Sequence, residues 1–568
     1  LFIPGQTACW CCFQHRLNSN RRNRELYESF IAKRGTGSVG RNPMPAPPPI
    51  RQAVASLATV EIMRFLFGHE PLQCAGRVVW VGFSDFHTLS EAVLKIPGCR
   101  ECTAEHVVRP AIHVAHEGWP GPAAESAICR FHDLLIGRHC GIVRRVRDIV
   151  RRWDDPDVFI VSAELADLTA LGATVAPSHS GGVGLTRDDA WLGAIGEAAE
   201  RYCAALAPSR LPARECAWSD LQPTEAVDPD TLAIFSGEQY HQTDFPVRPF
   251  HRDTRTTWLS GRWLTAPFAA VDKPCWMPAE CVGLGFARPA TDKPVNIPTS
   301  NGLAAGPTLV QAVLAGLCEV IERDAFVVAW FNGLSAPRVD LRSTALDWLR
   351  DLLENRLLWP RIEYHVADLT SDAGVPVYAV ISRGPSEDGP IVSFGAACHP
   401  FARLALTKAL LEAAAGRAYV RQLVRSQARR AYRRDFEDVR AFEDHAQFYT
   451  RHARFWKQLK SMVGSEQNAD LEAFSASRES DKAALEKIAT TLETLGHPAC
   501  WCDLTTPDVA AAGLHAVRVL VPGMQPLHGD HRLPFLGGLR HTQPERVFSW
   551  TAHVKRGRRF RRLPHPYP

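Results

Sequence analysis

The five-residue pattern E-x-x-E-R occurs twice in this chain, as Glu197-Ala198-Ala199-Glu200-Arg201 and as Glu319-Val320-Ile321-Glu322-Arg323. Both copies sit late in apolar, Ala/Gly-rich runs, AWLGAIGEAAERYCAAL and LVQAVLAGLCEVIERDAF, whose spacing predicts helices. Carboxylates three apart on a helix share a face. Here that face adjoins the apolar stripe, so each pair is expected to be partly desolvated. Close carboxylates repel unless a cation lies between them or one keeps a proton. One such helix is ordinarily a surface element with i,i+4 charge pairs. Two, each embedded in an apolar run, point to helices that face each other across one site for divalent metal and polyphosphate.

The 568 residues are 46% hydrophobic and 22% charged, a globular balance that allows sizeable cores and more than one domain. A net charge of +4 is small for this length and implies no nucleic-acid partner. No run is long enough for a transmembrane helix and no signal peptide is visible, so a cytoplasmic protein without membrane contact is expected. The chain starts at Leu1 rather than Met and reads as a fragment lacking its true start. Gly35-Thr36-Gly37-Ser38-Val39-Gly40 spells G-x-G-x-x-G, but Arg41-Asn42-Pro43 and MPAPPPI follow where a helix would be needed, so it reads as a loop. The chain has no G-x-x-x-x-G-K-[ST], and any use of ATP proceeds without a P-loop.

Sixteen cysteines are too dilute here for a disulfide scaffold. Cys9 and Cys12 form one C-x-x-C, and Cys99 and Cys102 form another. Two such knuckles supply the four thiolates of a closed structural zinc site. The long gap between them suits a clamp on two ends of a small domain, with a helix predicted over 51–67 and a strand over 77–83. Cys11 reads as a bystander, and the alternative is a set of unrelated thiols.

VFIVSAEL and VYAVISRG read as strands, and ARLALTKALLEAAAGRAYVRQ as a helix. Asp368-Leu369-Thr370-Ser371-Asp372 is echoed by Asp503-Leu504-Thr505-Thr506-Pro507-Asp508, each followed by an apolar strand-like segment. With the doubled E-x-x-E-R, the echo suggests internal pseudo-symmetry. The charged stretch 434–496 reads as a solvent-facing helical insertion. The basic run 555–562 reads as a solvated tail, since no aromatic ladder accompanies it. The chain ends Pro564-His565-Pro566-Tyr567-Pro568. Alternating prolines keep such a segment extended, able to place its own terminal carboxylate; the alternative is a frayed end.

Four of these stretches together resemble the YcaO family, specifically the azoline-forming cyclodehydratases of thiazole/oxazole-modified peptide biosynthesis. GGVGLTRDDAWLGAIGEAAERY resembles the family's first ATP motif, TSNGLAAGPTLVQAVLAGLCEVIERDA the second, and ALTKALLEAAAGR the third. PHPYP resembles the family's proline-rich C-terminus; HCGIVRRV, EDHAQFY and DLTTPD are weaker matches. ACWCCFQHRLNSNR, with the distal Cys99/Cys102 pair, resembles the zinc-containing ThiF-like domain fused to such enzymes. The resemblance implies an α/β (α+β) chain: a ThiF-like scaffold domain with structural zinc over 1–125, then a YcaO domain of mixed sheets and helices over 126–568. The leader-binding domain that usually precedes the scaffold is not visible.

The implied activity is ATP-dependent cyclodehydration of Cys, Ser or Thr in a ribosomally made precursor peptide, giving thiazoline or oxazoline through phosphorylation of the backbone amide oxygen. By motif match, Glu197, Glu200, Glu319 and Glu322 would bind Mg2+ and phosphate, and Arg201 and Arg323 would pair with them or with phosphate. Asn301 and Glu412 belong to the same nucleotide site, and Arg417 ends the third motif. The carboxylate of Pro568, on a tail stiffened by Pro564 and Pro566, would position or deprotonate the substrate. The implied cofactors are ATP, Mg2+ and structural zinc. The implied partners are the precursor peptide, a flavin-dependent azoline dehydrogenase and a second copy in a homodimer. Three positions depart from the pattern: Val183 replaces the lysine of G-K-G, Gly193 a serine, and Ala415 a glutamine. Each removes a polar contact from the nucleotide site. Two other readings therefore stand beside the first: a non-catalytic docking protein of the same pathway, and thioamide or amidine formation at the same site.

Overall fold

Both E-x-x-E-R runs are helices, Arg187–Leu206 and Leu309–Phe331, and both begin the same way. Thr186 and Thr308 cap them: each hydroxyl accepts an amide of the first turn, from Asp189 at 3.1 Å and Gln311 at 3.2 Å. Each helix follows a short strand, His179–Gly184 or Leu303–Gly306, and folds back onto it. That close approach requires glycine. A Cβ on Gly182 would lie 2.4 Å from the Ala194 nitrogen, and one on Gly306 would lie 2.8 Å from the Ala312 nitrogen. The computed structural model describes residues 2–3, 6–34, 47–69, 72–82, 87–102, 123–268, 273–286, 293–343, 346–427, 430–468, 472–475, 478–551 and 562–568. The glycine run at 35–40 and most of the basic run at 555–562 lie outside these residues.

The architecture is mixed α/β, with helices laid on largely antiparallel sheets. His179–Gly184 forms a three-stranded sheet with Phe159–Leu165 and Val143–Asp148. Leu303–Gly306 edges a six-stranded sheet that runs inward through His515–Leu520, Cys500–Asp503 and Thr256–Trp263. A five-stranded sheet orders Ile391–Cys398, Val377–Gly384, Glu363–Asp368, Ala336–Arg338 and Val463–Asn468, and only its last pair is parallel. The third motif helix, Ala402–Ser426, packs on its Ile391–Cys398 strand. In the amino-terminal unit the predicted helix is Pro48–Leu66 and the predicted strand is Arg77–Val81, paired with Thr88–Ala92. No described helix is long and apolar enough to cross a membrane.

The sequence echo is also a structural one. Asp368 and Asp503 each end a strand, and each carboxylate takes the amide of the threonine two residues on at 2.9 Å. The second aspartate of each echo meets an arginine: Asp372 pairs with Arg540 at 2.7 Å, and Asp508 with Arg16. Each arginine group includes the residue that follows E-x-x-E-R. Asp324 pairs with Arg540 at 2.8 Å, and the Tyr202 hydroxyl donates to Asp508 at 2.6 Å.

The stretch 434–496 corrects the reading made from its charge. It is not a solvent-facing insertion. Helix Phe442–Arg451 buries Ala446, Phe448 and Tyr449, Val463–Asn468 extends the five-stranded sheet, and Asp481–Thr494 sends Leu485, Ile488 and Leu492 into the core. Part of the charge that suggested solvent is satisfied locally: Asp444 accepts from Arg430 and Tyr432, both at 3.0 Å. One apolar core surrounds Leu309–Phe331. A second gathers the first motif helix with Ala8, Cys12, Phe13, Ile96 and Cys99, so the amino-terminal unit and that helix share one interior.

Candidate functional site

The two C-x-x-C knuckles converge. Cys9 begins helix Trp10–Ser19 as its cap, with Cys12 one turn on, and the chain returns to bring Cys99 and Cys102 alongside. The sulfurs lie 3.7 Å (Cys9–Cys12), 3.6 Å (Cys9–Cys99) and 3.4 Å (Cys12–Cys102) apart. A tetrahedron of sulfurs about 2.3 Å from one zinc has edges of about 3.8 Å, so the group fits zinc with little adjustment. Amides of Cys12 and Ile96 donate to Cys9 Sγ and Cys12 Sγ at 3.5 and 3.4 Å. Cys11 is not one of the four.

The carboxylates form the larger site. Each E-x-x-E-R folds into the same local arrangement. Arg201 pairs with Glu197 at 3.3 Å and Glu200 at 3.7 Å; Arg323 pairs with Glu319 and Glu322, both at 3.5 Å. Glu200 and Glu319 repel across the gap between the helices, and Glu412 on the third motif helix repels Glu322. Burial, followed by Glu319 and Glu197, holds Glu200 well above the usual carboxylate range. Burial also raises Glu319, with Glu197 adding to the push. Glu322 is only 8% exposed, and burial lifts it to about 7 against the opposing pull of Arg323 and Tyr567. Glu412 is raised too, by its surroundings and then Glu322, although its open side to solvent screens the effect. Five clustered carboxylates face three arginines, including Arg518; with all five ionised they would carry an excess of negative charge, which a divalent cation or retained protons would relieve.

Beside them lies a narrow open cleft, lined by Asn301, Arg323 and Arg518 on its polar side and by Val320, Met524 and Phe535 on its apolar side. The Asn301 amide nitrogen donates to Thr299 Oγ1 at 2.8 Å and to the Leu527 carbonyl at 2.9 Å, which orients the side chain. Arg518 went unnoticed in the sequence. It is 3% exposed, donates to the Thr299 carbonyl at 2.8 Å and feels both Glu319 and Glu200. Its Nε is buried without a hydrogen-bond partner among the described residues. A lone arginine inside the apolar run HAVRVL was the available signal.

The C-terminal tail is docked rather than frayed. Tyr449 donates to the Pro564 carbonyl at 2.7 Å, and His445 Nδ1 to the His565 carbonyl at 3.0 Å. Pro564, His565, Pro566 and Tyr567 are buried, while Pro568 is exposed. The Tyr567 hydroxyl reaches Glu322 at 2.5 Å, so this docked segment borders the carboxylate cluster.

Arg417 is not brought to this cluster. It is fully buried, donating to the Pro385 carbonyl at 2.9 Å and the Ile391 carbonyl at 3.4 Å. Five residues after Glu412, it points about 140° away around the helix. Val183 packs against the apolar cluster around Ala402–Ser426. A Cβ at Gly193 would lie 3.4 Å from Gly182 Cα, so a serine would be tolerated there.

A model of the YcaO family, described as ATP- and Mg2+-binding cyclodehydratases, matches residues 181–525, well over half of the chain. An uncharacterized protein of Methanothermobacter thermautotrophicus is 28% identical over 351 residues, 61% of this chain and 81% of that protein. An uncharacterized protein in the tfuA 3' region of Rhizobium leguminosarum bv. trifolii is 27% identical over 274 residues, 45% of this chain and 60% of that one. Among solved structures, a heterocyclase in complex with substrate and cofactor covers 100% of this chain and 75% of its own, with a TM-score of 0.71 at 21% identity. The heterocyclase TruD covers 93% and 68%, with a TM-score of 0.61 at 20% identity. At such identities the likeness is one of fold.

Proposed function

Since the chain belongs to the YcaO family of ATP- and Mg2+-binding cyclodehydratases, we propose that it closes Cys, Ser or Thr residues of a ribosomally made precursor peptide into thiazolines or oxazolines. The observation that carries this reading is the convergence of Glu197, Glu200, Glu319, Glu322 and Glu412 beside a docked C-terminal tail. The heterocyclase names of two proteins with this fold support it.

The glutamates would hold Mg2+, which neutralises phosphate charge in transit. Arg201, Arg323 and Arg518 would face phosphate oxygens, and Asn301 would line the nucleotide cleft. The substrate thiol or hydroxyl adds to the preceding amide carbon and gives its proton to the Pro568 carboxylate. The former carbonyl oxygen takes the γ-phosphoryl group, and ADP leaves. Loss of the amide proton and of phosphate then forms the C=N bond, so peptide and ATP become azoline, ADP and phosphate. Pro564 and Pro566 stiffen the tail that presents the carboxylate. Cys9, Cys12, Cys99 and Cys102 would hold structural zinc in a scaffold unit spanning about 1–125, ahead of a catalytic unit spanning about 126–568. The precursor peptide and a flavin-dependent dehydrogenase are the proposed partners.

The test is incubation of the chain with MgATP and a Cys-containing precursor peptide, read by mass spectrometry as loss of one water per ring. Glu319→Gln should abolish that loss. Unchanged turnover in this variant refutes the site. MgATP binding with no modification of any peptide favours the docking-protein reading instead.

A further inference from the structure

Tyr567 is 2% exposed and occupies a particular junction. Its hydroxyl donates to Glu322 Oε1 at 2.5 Å, while the other oxygen of that carboxylate accepts the Cys398 amide at 3.2 Å. The Arg323 guanidinium lies 4.1 Å over its ring, and Phe326 and Phe394 flank it at 4.7 and 4.8 Å. The segment just upstream is pinned at two residues: Trp330 donates to the Leu563 carbonyl at 3.3 Å, and the His565 ring donates to the His528 carbonyl at 2.7 Å. Tyr567 therefore has little freedom to drift, and whatever it touches inherits that rigidity.

We propose that Tyr567 is a positioning residue for the metal and nucleotide site: its hydroxyl fixes the Glu322 carboxylate in one orientation, and so ties that carboxylate to the placement of the neighbouring Pro568 terminus. The inference rests on the reading of Glu322 as a Mg2+ ligand. A carboxylate oxygen that accepts one hydrogen bond keeps a lone pair for a cation. Partners that orient metal-binding carboxylates typically change metal affinity by about 10–100-fold. Chemistry at the phosphate end and proton transfer at the peptide end thus share one anchor, a residue contributed by the tail itself.

The experiment measures ATP binding to the full chain by calorimetry across a Mg2+ series, with thermal unfolding alongside. Tyr567→Phe keeps the ring and its contacts and removes only the hydroxyl. It should raise the half-saturating Mg2+ concentration by about 10–100-fold with little change in unfolding temperature. Phe326→Leu loosens the packing around the same ring without touching the hydroxyl. It should lower the unfolding temperature and shift the Mg2+ requirement less than Tyr567→Phe does, because the hydrogen bond to Glu322 stays. An unchanged Mg2+ requirement in Tyr567→Phe, in a protein where Glu322→Gln abolishes binding, overturns the role of Tyr567 and leaves the Glu322 assignment standing. An equal shift in Phe326→Leu overturns it as well. Normal binding by Glu322→Gln, or no MgATP binding by the unaltered chain, overturns the Glu322 assignment and this inference with it.

Discussion

MgATP binding to this chain should release protons and strengthen between about pH 6 and 8.5. The perturbation is pH alone, and Glu322 sets its minimum size. Burial lifts that carboxyl from 4.5 to about 7. A cation binds the ionised form, so protonation competes with it, and affinity rises as pH climbs through the raised value. The penalty factor, 1 + 10^(pKa − pH), is about 1 at pH 8.5 and about 11 at pH 6, a tenfold or ~1.4 kcal/mol loss. Glu200 and Glu319 are displaced in the same direction and add to the effect. Titration calorimetry in two buffers of different ionisation heat reads the protons directly; at pH 7 Glu322 alone should release about half a proton. Affinity that stays flat over this range, with no proton release at pH 7, would show that these carboxylates are not the groups the cation meets.

The remaining predictions concern the supports of the site. Arg16→Met leaves the buried Asp508 with the Tyr202 hydroxyl in place of its cation, and should cost about 3–5 kcal/mol in urea unfolding; a negligible change would mean the pair is not buried in solution. The purified chain should carry about one zinc, read by elemental analysis, and Cys102→Ser should lose both the metal and thermal stability, because the knuckles share a core with the first motif helix. Full stability in that variant would sink the zinc clamp. Deleting 564–568 uncovers the seat of the buried Tyr567 and should lower unfolding free energy by about 2–3 kcal/mol or more; an unchanged midpoint would mean the tail is undocked in solution.

Short-range spacing determined a good deal of this protein. The two E-x-x-E-R helices, their threonine starts and each C-x-x-C by itself depend on residues within a few turns of one another, and local backbone geometry sets such patterns wherever the segment lies. The D-L-T echo was legible for the same reason, since each aspartate bonds an amide two residues away. The tertiary structure decided what those local units meet. Arg16 and Asp508 are 492 residues apart, and Tyr567 and Glu322 are 245 apart; no periodicity relates them. Charge density misled over 442–451, because charged composition does not say which face of a helix packs. Arg417 closes a motif in sequence, yet helix rotation turns it from Glu412 onto backbone carbonyls. Which polar groups lose water, and which cation or hydroxyl then satisfies them, is settled only when distant segments pack, since desolvation belongs to the assembled interior and not to any one stretch of chain.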